Sequence, residues 1–341
     1  MNPGTIFATA LNAVAPIILL ILLGYLLRQR GFLSEDFLQV GNRLVFRLML
    51  PTMLFVNIYS IDSLSGIRWD LALYALGAIL VIFCLSLASA VLTTQVPERR
   101  GVILQCCFRS NFVIIGLPLA ASLGGAEAEA VAAVLSAVSI PLFNVLAVIS
   151  LSVFINRKES FGQSCRHILR DVLTNPLIIA VVLGMFCLGI RWVQTLLFGR
   201  IVFRLDQQTA FFFDAVKTLK NGTTALALII LGGQFVFSAV RELKKEIFVA
   251  TLWRVALSPI IGVSGAILLT RWNLLNCTSA DYPALIALFG SPVAVSSAIM
   301  AKGMGNDEQL ATQLVVWTTL FSGITVFSSV CVLMAAGLIL P

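Results

Sequence analysis

Long apolar runs alternate with short charged segments along the whole chain. Ten of these runs are each about 20 residues long, the length that an α-helix needs to cross the roughly 30 Å hydrocarbon core of a bilayer. A transmembrane β-barrel would instead show alternating segments of about ten residues. The pattern therefore predicts ten transmembrane helices. They cover residues 7–27, 38–60, 70–94, 101–121, 130–155, 172–190, 209–238, 247–270, 282–301 and 309–338.

The composition agrees with a polytopic membrane protein and excludes several soluble classes. Of the 341 residues, 59% are hydrophobic and 11% are charged, whereas soluble domains carry about 25% charged residues. Mean hydropathy is +0.99. The net charge of +7 comes from basic residues between the apolar runs, where they set membrane topology. The lipid bilayer is thus an expected partner, and nucleic acid is not.

Basic residues are distributed unequally between the two sides of the predicted membrane. Loops after odd-numbered spans hold twelve Lys and Arg residues, and loops after even-numbered spans hold five, or seven with Lys217 and Lys220. The positive-inside rule places the richer loops in the cytoplasm. We therefore expect a multi-pass protein of the plasma (inner) membrane with both termini outside the cytoplasm. The first run lacks a basic leader and a cleavage site, so we expect a retained span.

The two halves of the chain show signs of an inverted repeat. Ten spans divide into five and five, and an odd number of spans per half gives the halves opposite orientations. Pro16 is followed eight residues later by Gly24, and Pro176 is followed eight residues later by Gly184. We expect a first five-helix repeat over residues 1–155, a short basic cytoplasmic loop over 156–171 and a second five-helix repeat over 172–341.

Spans four and nine contain residues that interrupt helices. Gly116 and Pro118 lie inside span four, and Gly290 and Pro292 lie inside span nine. Proline removes a backbone donor and crowds the preceding turn, so either segment is a broken helix or a kinked one. Paired interruptions in two halves favour breaks and point to a substrate site near the middle of the membrane. There the N-termini of half-helices attract an anion.

Five sequence segments in this order resemble the auxin efflux carrier family, especially its bacterial permeases and malonate-transporter-like members. The similarity extends from about residue 10 to residue 335. The segments are LPTMLF (Leu50–Phe55), NFVIIGLPL (Asn111–Leu119), IPLFNVLAV (Ile140–Val148), TNPLIIAVVLG (Thr174–Gly184) and SPVAVSSAIMAKGMGND (Ser291–Asp307).

The resemblance implies an all-α membrane fold with two inverted five-helix repeats and crossed, broken helices 4 and 9, as in bile-acid and sodium/proton transporters. It also implies elevator-type alternating access. Helices 1, 2, 6 and 7 would form a scaffold that assembles as a homodimer, and the other six helices would carry the substrate.

The family motif assigns residues to both crossings. By resemblance, Asn111 precedes the first crossing, and Gly116, Leu117 and Pro118 form it. Val295, Ser296 and Ser297 occupy the second crossing, where plant members have a proline. Because Ser297 departs from the plant pattern, plant substrate preference is not transferred. The loop of 16 residues over 156–171 also lacks the length of the hydrophilic loop of many plant members.

Polar residues within the predicted spans supply the candidate binding groups. Arg109 stands seven residues before Gly116, roughly 10 Å along a helix, and we consider it for pairing with a substrate carboxylate; snorkelling or a structural hydrogen bond is the alternative. Arg43 and Arg254 are expected to snorkel to the cytoplasmic surface, and Arg47 is ambiguous. Neutral hydrogen-bonding groups at similar depth are Ser110, Asn111, Asn144, Ser291, Ser296 and Ser297.

The sequence argues against an enzyme and against a cofactor. His167 is the only histidine, the seven cysteines form no C-x-x-C pair, and H-E-x-x-H is absent, so neither a histidine-based triad nor a multi-histidine metal site can form. No acidic residue lies in the middle of a span, which leaves proton coupling, sodium coupling and uniport all open.

We predict a secondary transporter, a permease or efflux carrier, that moves a small organic anion such as a mono- or dicarboxylate or an auxin-like acid. A channel or membrane-bound sensor with the same fold is the alternative.

Overall fold

The computed structural model describes residues 3–60, 68–155, 170, 173–235 and 238–338, and every regular element in this part of the chain is a helix. The predicted loop 156–171, with His167, lies outside the described residues except for Arg170. The first half contains α1 (Pro3–Gln29), α2 (Glu35–Leu44), α3 (Leu50–Tyr59), α4 (Trp69–Thr93), α5 (Pro97–Phe108) and α6 (Leu117–Val153). Helix α6 is broken at Gly124 and Gly125, where the backbone leaves helical geometry, so its first turns belong to predicted span four and the part after the break to span five. The second half contains α7 (Pro176–Phe198), α8 (Leu205–Gln208), α9 (Ala210–Gln234), α10 (Ser238–Glu242), α11 (Lys244–Leu252), α12 (Ser258–Arg271), α13 (Asp281–Gly290), α14 (Ser296–Gly303) and α15 (Glu308–Ala335).

Three short π-helical segments share a sequence cause. Each ends two residues before a proline, whose ring crowds the carbonyl four residues earlier and whose nitrogen cannot donate a hydrogen bond, so the helix widens locally. They are π1 (Val45–Met49, before Pro51), π2 (Phe112–Gly116, before Pro118) and π3 (Trp253–Leu257, before Pro259). Segment π1 joins α2 to α3, and π3 joins α11 to α12, so both pairs continue as single helices.

Within the part of the chain that the structure describes, five helices are long and apolar enough to cross a bilayer, by length and composition. They are Trp69–Thr93, Glu127–Val153, Pro176–Phe198, Lys244–Arg271 and Glu308–Ala335. These helices coincide with predicted spans three, five, six, eight and ten. The other predicted spans coincide with α1, with α2 and α3, with α5 and the start of α6, with α9, and with α13 and α14. The count of ten spans and the inverted repeat remain predictions.

Helices α1 and α9 approach each other so closely that both require glycine. A Cβ atom on Gly24 would overlap the carbonyl oxygen of Ile229, and one on Gly232 would overlap that of Ile21. Gly184 of α7 is packed in a similar way against α3. Helices α1, α3, α7 and α9 therefore form one closely packed group.

Two shorter half-helices lie in the interior of the remaining group. Every residue of α13 is buried, as is the stretch of α5 from Arg100 to Phe108. Helices α4, α6 and α15 and the continuous helix of α11 and α12 surround them. The C-terminal ends of α5 and α13 consequently lie inside the protein, where their last backbone carbonyls need partners.

Candidate functional site

Both buried half-helices end in a short non-helical segment. Helix α5 ends at Phe108 and π2 begins at Phe112, so the first interruption covers Arg109–Asn111. Helix α13 ends at Gly290 and α14 begins at Ser296, so the second interruption covers Ser291–Val295. Pro292 and Val295 lie within this second interruption.

The position of the first interruption corrects the sequence prediction. The break was expected at Gly116, Leu117 and Pro118, but Gly116 ends π2, and Leu117 and Pro118 begin α6. Proline is tolerated in the first turn of a helix, because the amide hydrogens there have no intrahelical partner. Pro118 thus follows a widened turn, and the chain loses helical geometry several residues earlier.

The two interruptions cross and pair through their backbones. Ser110 and Val293 form an antiparallel bridge. The amide of Asn111 donates to the carbonyl of Pro292 at 2.8 Å, and the amide of Ala294 donates to the carbonyl of Arg109 at 3.3 Å. Each break thus satisfies one amide and one carbonyl of the other, which helps to meet the need for paired backbone groups in hydrocarbon surroundings.

A side chain from α15 satisfies a further amide of the second interruption. The amide of Val293 donates to the hydroxyl oxygen of Thr318 at 3.2 Å. The same hydroxyl donates to the carbonyl of Leu314 at 2.7 Å. Helix α15 is therefore bonded to the crossing itself.

Arg254 binds the C-terminal ends of both half-helices. Its guanidinium donates to the carbonyl of Cys107 at 3.4 Å and to the carbonyl of Phe289. These carbonyls lie in the last turns of α5 and α13, where the helix dipoles concentrate negative charge. Arg254 is 0% exposed, so the prediction that it snorkels to the surface was wrong; the two helix ends stabilise its charge in the interior.

Arg109 is also buried, but its partners are neutral side chains. Its Nη2 donates to Asn144 Oδ1 at 2.9 Å and to Ser296 Oγ at 3.0 Å, and its Nη1 donates to the sulfur of Met300. Asn144 is held in turn by a hydrogen bond of 2.8 Å to the carbonyl of Ile140. Among the described residues, no carboxylate lies within 4.0 Å of this guanidinium.

A cavity next to the crossing brings several of the predicted residues together. The space open to the centres of water molecules is about 60 Å³. One wall carries the predicted residues Arg109, Ser110, Asn111, Asn144, Val295 and Ser296. Within the described part of the chain, the carboxamide of Asn111 has no hydrogen-bond partner, so it is available to a ligand.

The opposite wall comes from α3 and α9 and was not predicted. It includes Asn57, Thr223 and Thr224, together with Leu50, Met53, Leu54 and Ala227. Asn57 follows the LPTMLFV segment, and the two threonines follow Asn221 and Gly222. In the sequence, these three residues stand out only as polar residues inside otherwise apolar runs. Their position opposite Arg109 depends on how α3 and α9 pack against the crossing.

Ser291 and Ser297 do not line this cavity. The hydroxyl of Ser291 donates to the carbonyl of Ala287 at 2.6 Å, inside α13. Ser297 is 5% exposed in the first turn of α14, and its hydroxyl has no hydrogen-bond partner among the described residues. Pro292 contributes its carbonyl to the crossing.

Two helix N-termini meet at the cavity beside Arg109. Segment π2 begins after Asn111, and α14 begins after Val295; neither cap residue makes a side-chain hydrogen bond to its helix. Amide groups and the positive ends of helix dipoles thus add to the charge of Arg109. The arrangement is chemically suited to an anion.

Comparisons with known proteins identify the family of this chain. The model of a family described as membrane transport protein matches residues 9–165 and 156–328. An uncharacterized transporter of Methanocaldococcus jannaschii is 22% identical over 319 residues, with coverage of 92% of this chain and 95% of the relative. An uncharacterized transporter of Methanothermobacter thermautotrophicus is 23% identical over 327 residues, covering 93% and 96%. The chain therefore belongs to the membrane transport protein family of auxin efflux carriers, and it is a multi-pass integral membrane transporter.

Proposed function

We propose that this protein is a secondary transporter of a small organic anion, a mono- or dicarboxylate, which binds to Arg109 in the cavity at the crossing. The observation that carries the proposal is a buried guanidinium whose partners are all neutral. A buried charge is costly unless an opposite charge or strong dipoles compensate it, and neither a carboxylate nor a backbone carbonyl is among the described partners of the Arg109 guanidinium. An anionic substrate supplies the missing charge.

The lining of the cavity supports a small organic acid as the substrate. Its polar residues Arg109, Asn111 and Asn144 lie together on one wall, where they can bind a carboxylate group. The carboxamide nitrogen of Asn111 can donate a second hydrogen bond to the carboxylate of such a substrate.

Alternating access follows from the two groups of helices that border the cavity. Arg109, Asn144 and Ser296 belong to the group that contains the crossing, whereas Asn57 and Thr224 belong to the closely packed group of α1, α3, α7 and α9. If the first group slides against the second, the bound anion moves with Arg109. We propose this elevator movement.

An inverted repeat of five and five spans accounts for the packing of the scaffold. Gly24 and Gly232 join predicted spans one and seven, and Gly184 joins spans six and two. These pairs are equivalent under a repeat that superposes span one on span six and span two on span seven.

The proposal includes a homodimer formed through the scaffold of α1, α3, α7 and α9. It places both termini outside the cytoplasm, and it names no coupling ion.

Flux into proteoliposomes tests the function. We expect uptake of acetate, propionate, malonate or succinate above the level of empty liposomes, and at least tenfold less uptake with Arg109→Gln. Arg47→Gln is the matched control, because Arg47 lies in π1 with an exposed side chain, and it should retain most of the flux. Background flux for the whole panel, unchanged flux with Arg109→Gln, or single-channel currents would contradict the proposal.

A further inference from the structure

An apolar groove lies between α15 and the continuous helix of α11 and π3, away from the crossing. Its space for water centres is about 340 Å³. Ile247, Phe248 and Val255 line one side, and the stacked rings of Trp317 and Phe321, with centroids 6.0 Å apart, form a flat wall on the other. The lining is almost entirely hydrocarbon and aromatic, which suits an acyl chain.

The length of the groove matches one leaflet of a bilayer. Lys244 lines one end and Val255 lines the other, eleven residues apart on a continuous helix. This separation corresponds to about 16 Å, or about half of a hydrocarbon core of roughly 30 Å. A chain in the groove would therefore extend from the headgroup level to the middle of the membrane.

Basic residues outnumber acidic ones at the Lys244 end. Arg241, Lys244 and Lys245 are exposed there, with one exposed carboxylate, that of Glu242, among them. Among the described residues, none of the three basic side chains has a carboxylate within 4.0 Å, and nearby Glu246 is already paired with Arg99 at 3.1 Å. Each Lys or Arg near the membrane surface contributes about 1 kcal/mol of attraction to anionic lipids.

We propose that this groove binds one anionic phospholipid, with its phosphate at Lys244 and one acyl chain between α11 and α15. Both sides of the groove belong to the group of helices that contains the crossing. The bound lipid would fill the gap between these helices and stabilise the group as a unit. The proposal is independent of the substrate at Arg109.

Native mass spectrometry of the full chain in detergent tests the site with two added lipids. Phosphatidylglycerol and phosphatidylcholine with the same acyl chains are compared at equal concentration. We expect one retained phosphatidylglycerol and several-fold less phosphatidylcholine. Lys244→Gln should weaken phosphatidylglycerol retention about fivefold, whereas Lys245→Gln, which removes a neighbouring charge that does not line the groove, should change it less than twofold.

A second variant tests the groove without removing charge. Leu252 is 42% exposed and lines the groove, so Leu252→Trp should narrow the groove without disturbing the core and should reduce retention of phosphatidylglycerol severalfold. Equal retention of the two lipids, equal effects of the two lysine variants, or full retention by Leu252→Trp would each overturn the proposal. If Lys244→Gln fails to fold, the lipid comparison and Leu252→Trp still decide.

Discussion

Arg109 and Arg254 are two buried guanidinium groups at the same crossing, with opposite surroundings. Arg254 contacts carbonyls at the C-terminal ends of α5 and α13, so its charge is compensated by dipoles. Arg109 is the C-cap residue of α5, but its guanidinium donates only to neutral side chains. We therefore propose that Arg254 stabilises the fold and that Arg109 binds the substrate.

This difference predicts opposite results for two matched variants. Arg254→Met should lower the free energy of unfolding by about 2–4 kcal/mol, because buried carbonyls lose their donors. Arg109→Met should change it by less than about 1 kcal/mol, since the loss of neutral hydrogen bonds is offset by removal of an uncompensated charge. Unfolding of both variants in the same detergent measures this. Equal destabilisation would mean that Arg109 is as structural as Arg254.

Sequence reasoning identified one wall of the cavity and missed the other. Arg109, Asn111, Asn144 and Ser296 could be chosen because polar residues are conspicuous in apolar runs near helix breakers. The position of Asn57 opposite them depends on contacts between distant helices. Arg254 illustrates the same limit. Its partners Cys107 and Phe289 lie 147 and 35 residues away in the sequence. Snorkelling was predicted because Arg254 is only about two helical turns from the end of its predicted span.

Among the elements, the interrupted helices show how pairing overrides local signals. Proline is a strong helix breaker, yet Pro118 only widens the preceding turn into the π-helical segment π2. The actual break falls on Arg109–Asn111, which contains neither proline nor glycine. Hydrogen bonds to Pro292 and Ala294 stabilise its extended backbone. Such a break cannot be located from one segment, because its stability depends on the other.

The close contact between α1 and α9 gives a prediction at this scale. Gly232→Ala should destabilise the protein by about 1–3 kcal/mol, because the added Cβ meets the carbonyl of Ile21 and separates the helices. Gly189→Ala in α7 is the matched control, since a Cβ there meets no atom within 4 Å, and alanine improves helix propensity by up to about 1 kcal/mol. Thermal unfolding should separate the variants. Similar unfolding temperatures would contradict the packing described for α1 and α9.

At the scale of the whole molecule, the hydropathy pattern predicted a helical membrane protein, whereas the arrangement of the helices depends on contacts between them. Among the described residues, five of the ten predicted spans have the length and hydropathy of a membrane-crossing helix, because about 20 apolar residues leave little choice but a membrane helix. Span one is also a continuous apolar helix, α1, whereas spans two, four, seven and nine are divided between elements or carry more charged residues, and there the local pattern is weaker. The division into two groups of helices around the cavity follows from non-local contacts.

Movement of one group against the other predicts a change in access to the scaffold wall of the cavity. In a cysteine-free background, Asn57→Cys and Thr224→Cys should react with a maleimide at rates that change at least twofold when a transported carboxylate is added. Asn221→Cys is the control, because Asn221 lies one turn before Thr224 on α9 but is exposed and does not line the cavity. Unchanged rates at all three positions would argue against the elevator movement.

Arg109 is the residue on which the proposed transport most depends, because it would bind the anion. A cryo-electron microscopy map of the protein with the carboxylate that it transports fastest tests this directly. We predict ligand density in the cavity between π2, α14 and α3, with a carboxylate oxygen within about 3.2 Å of the Arg109 guanidinium. Ligand density elsewhere in the protein, with the contacts of Arg109 to Asn144 and Ser296 unchanged, would contradict the account.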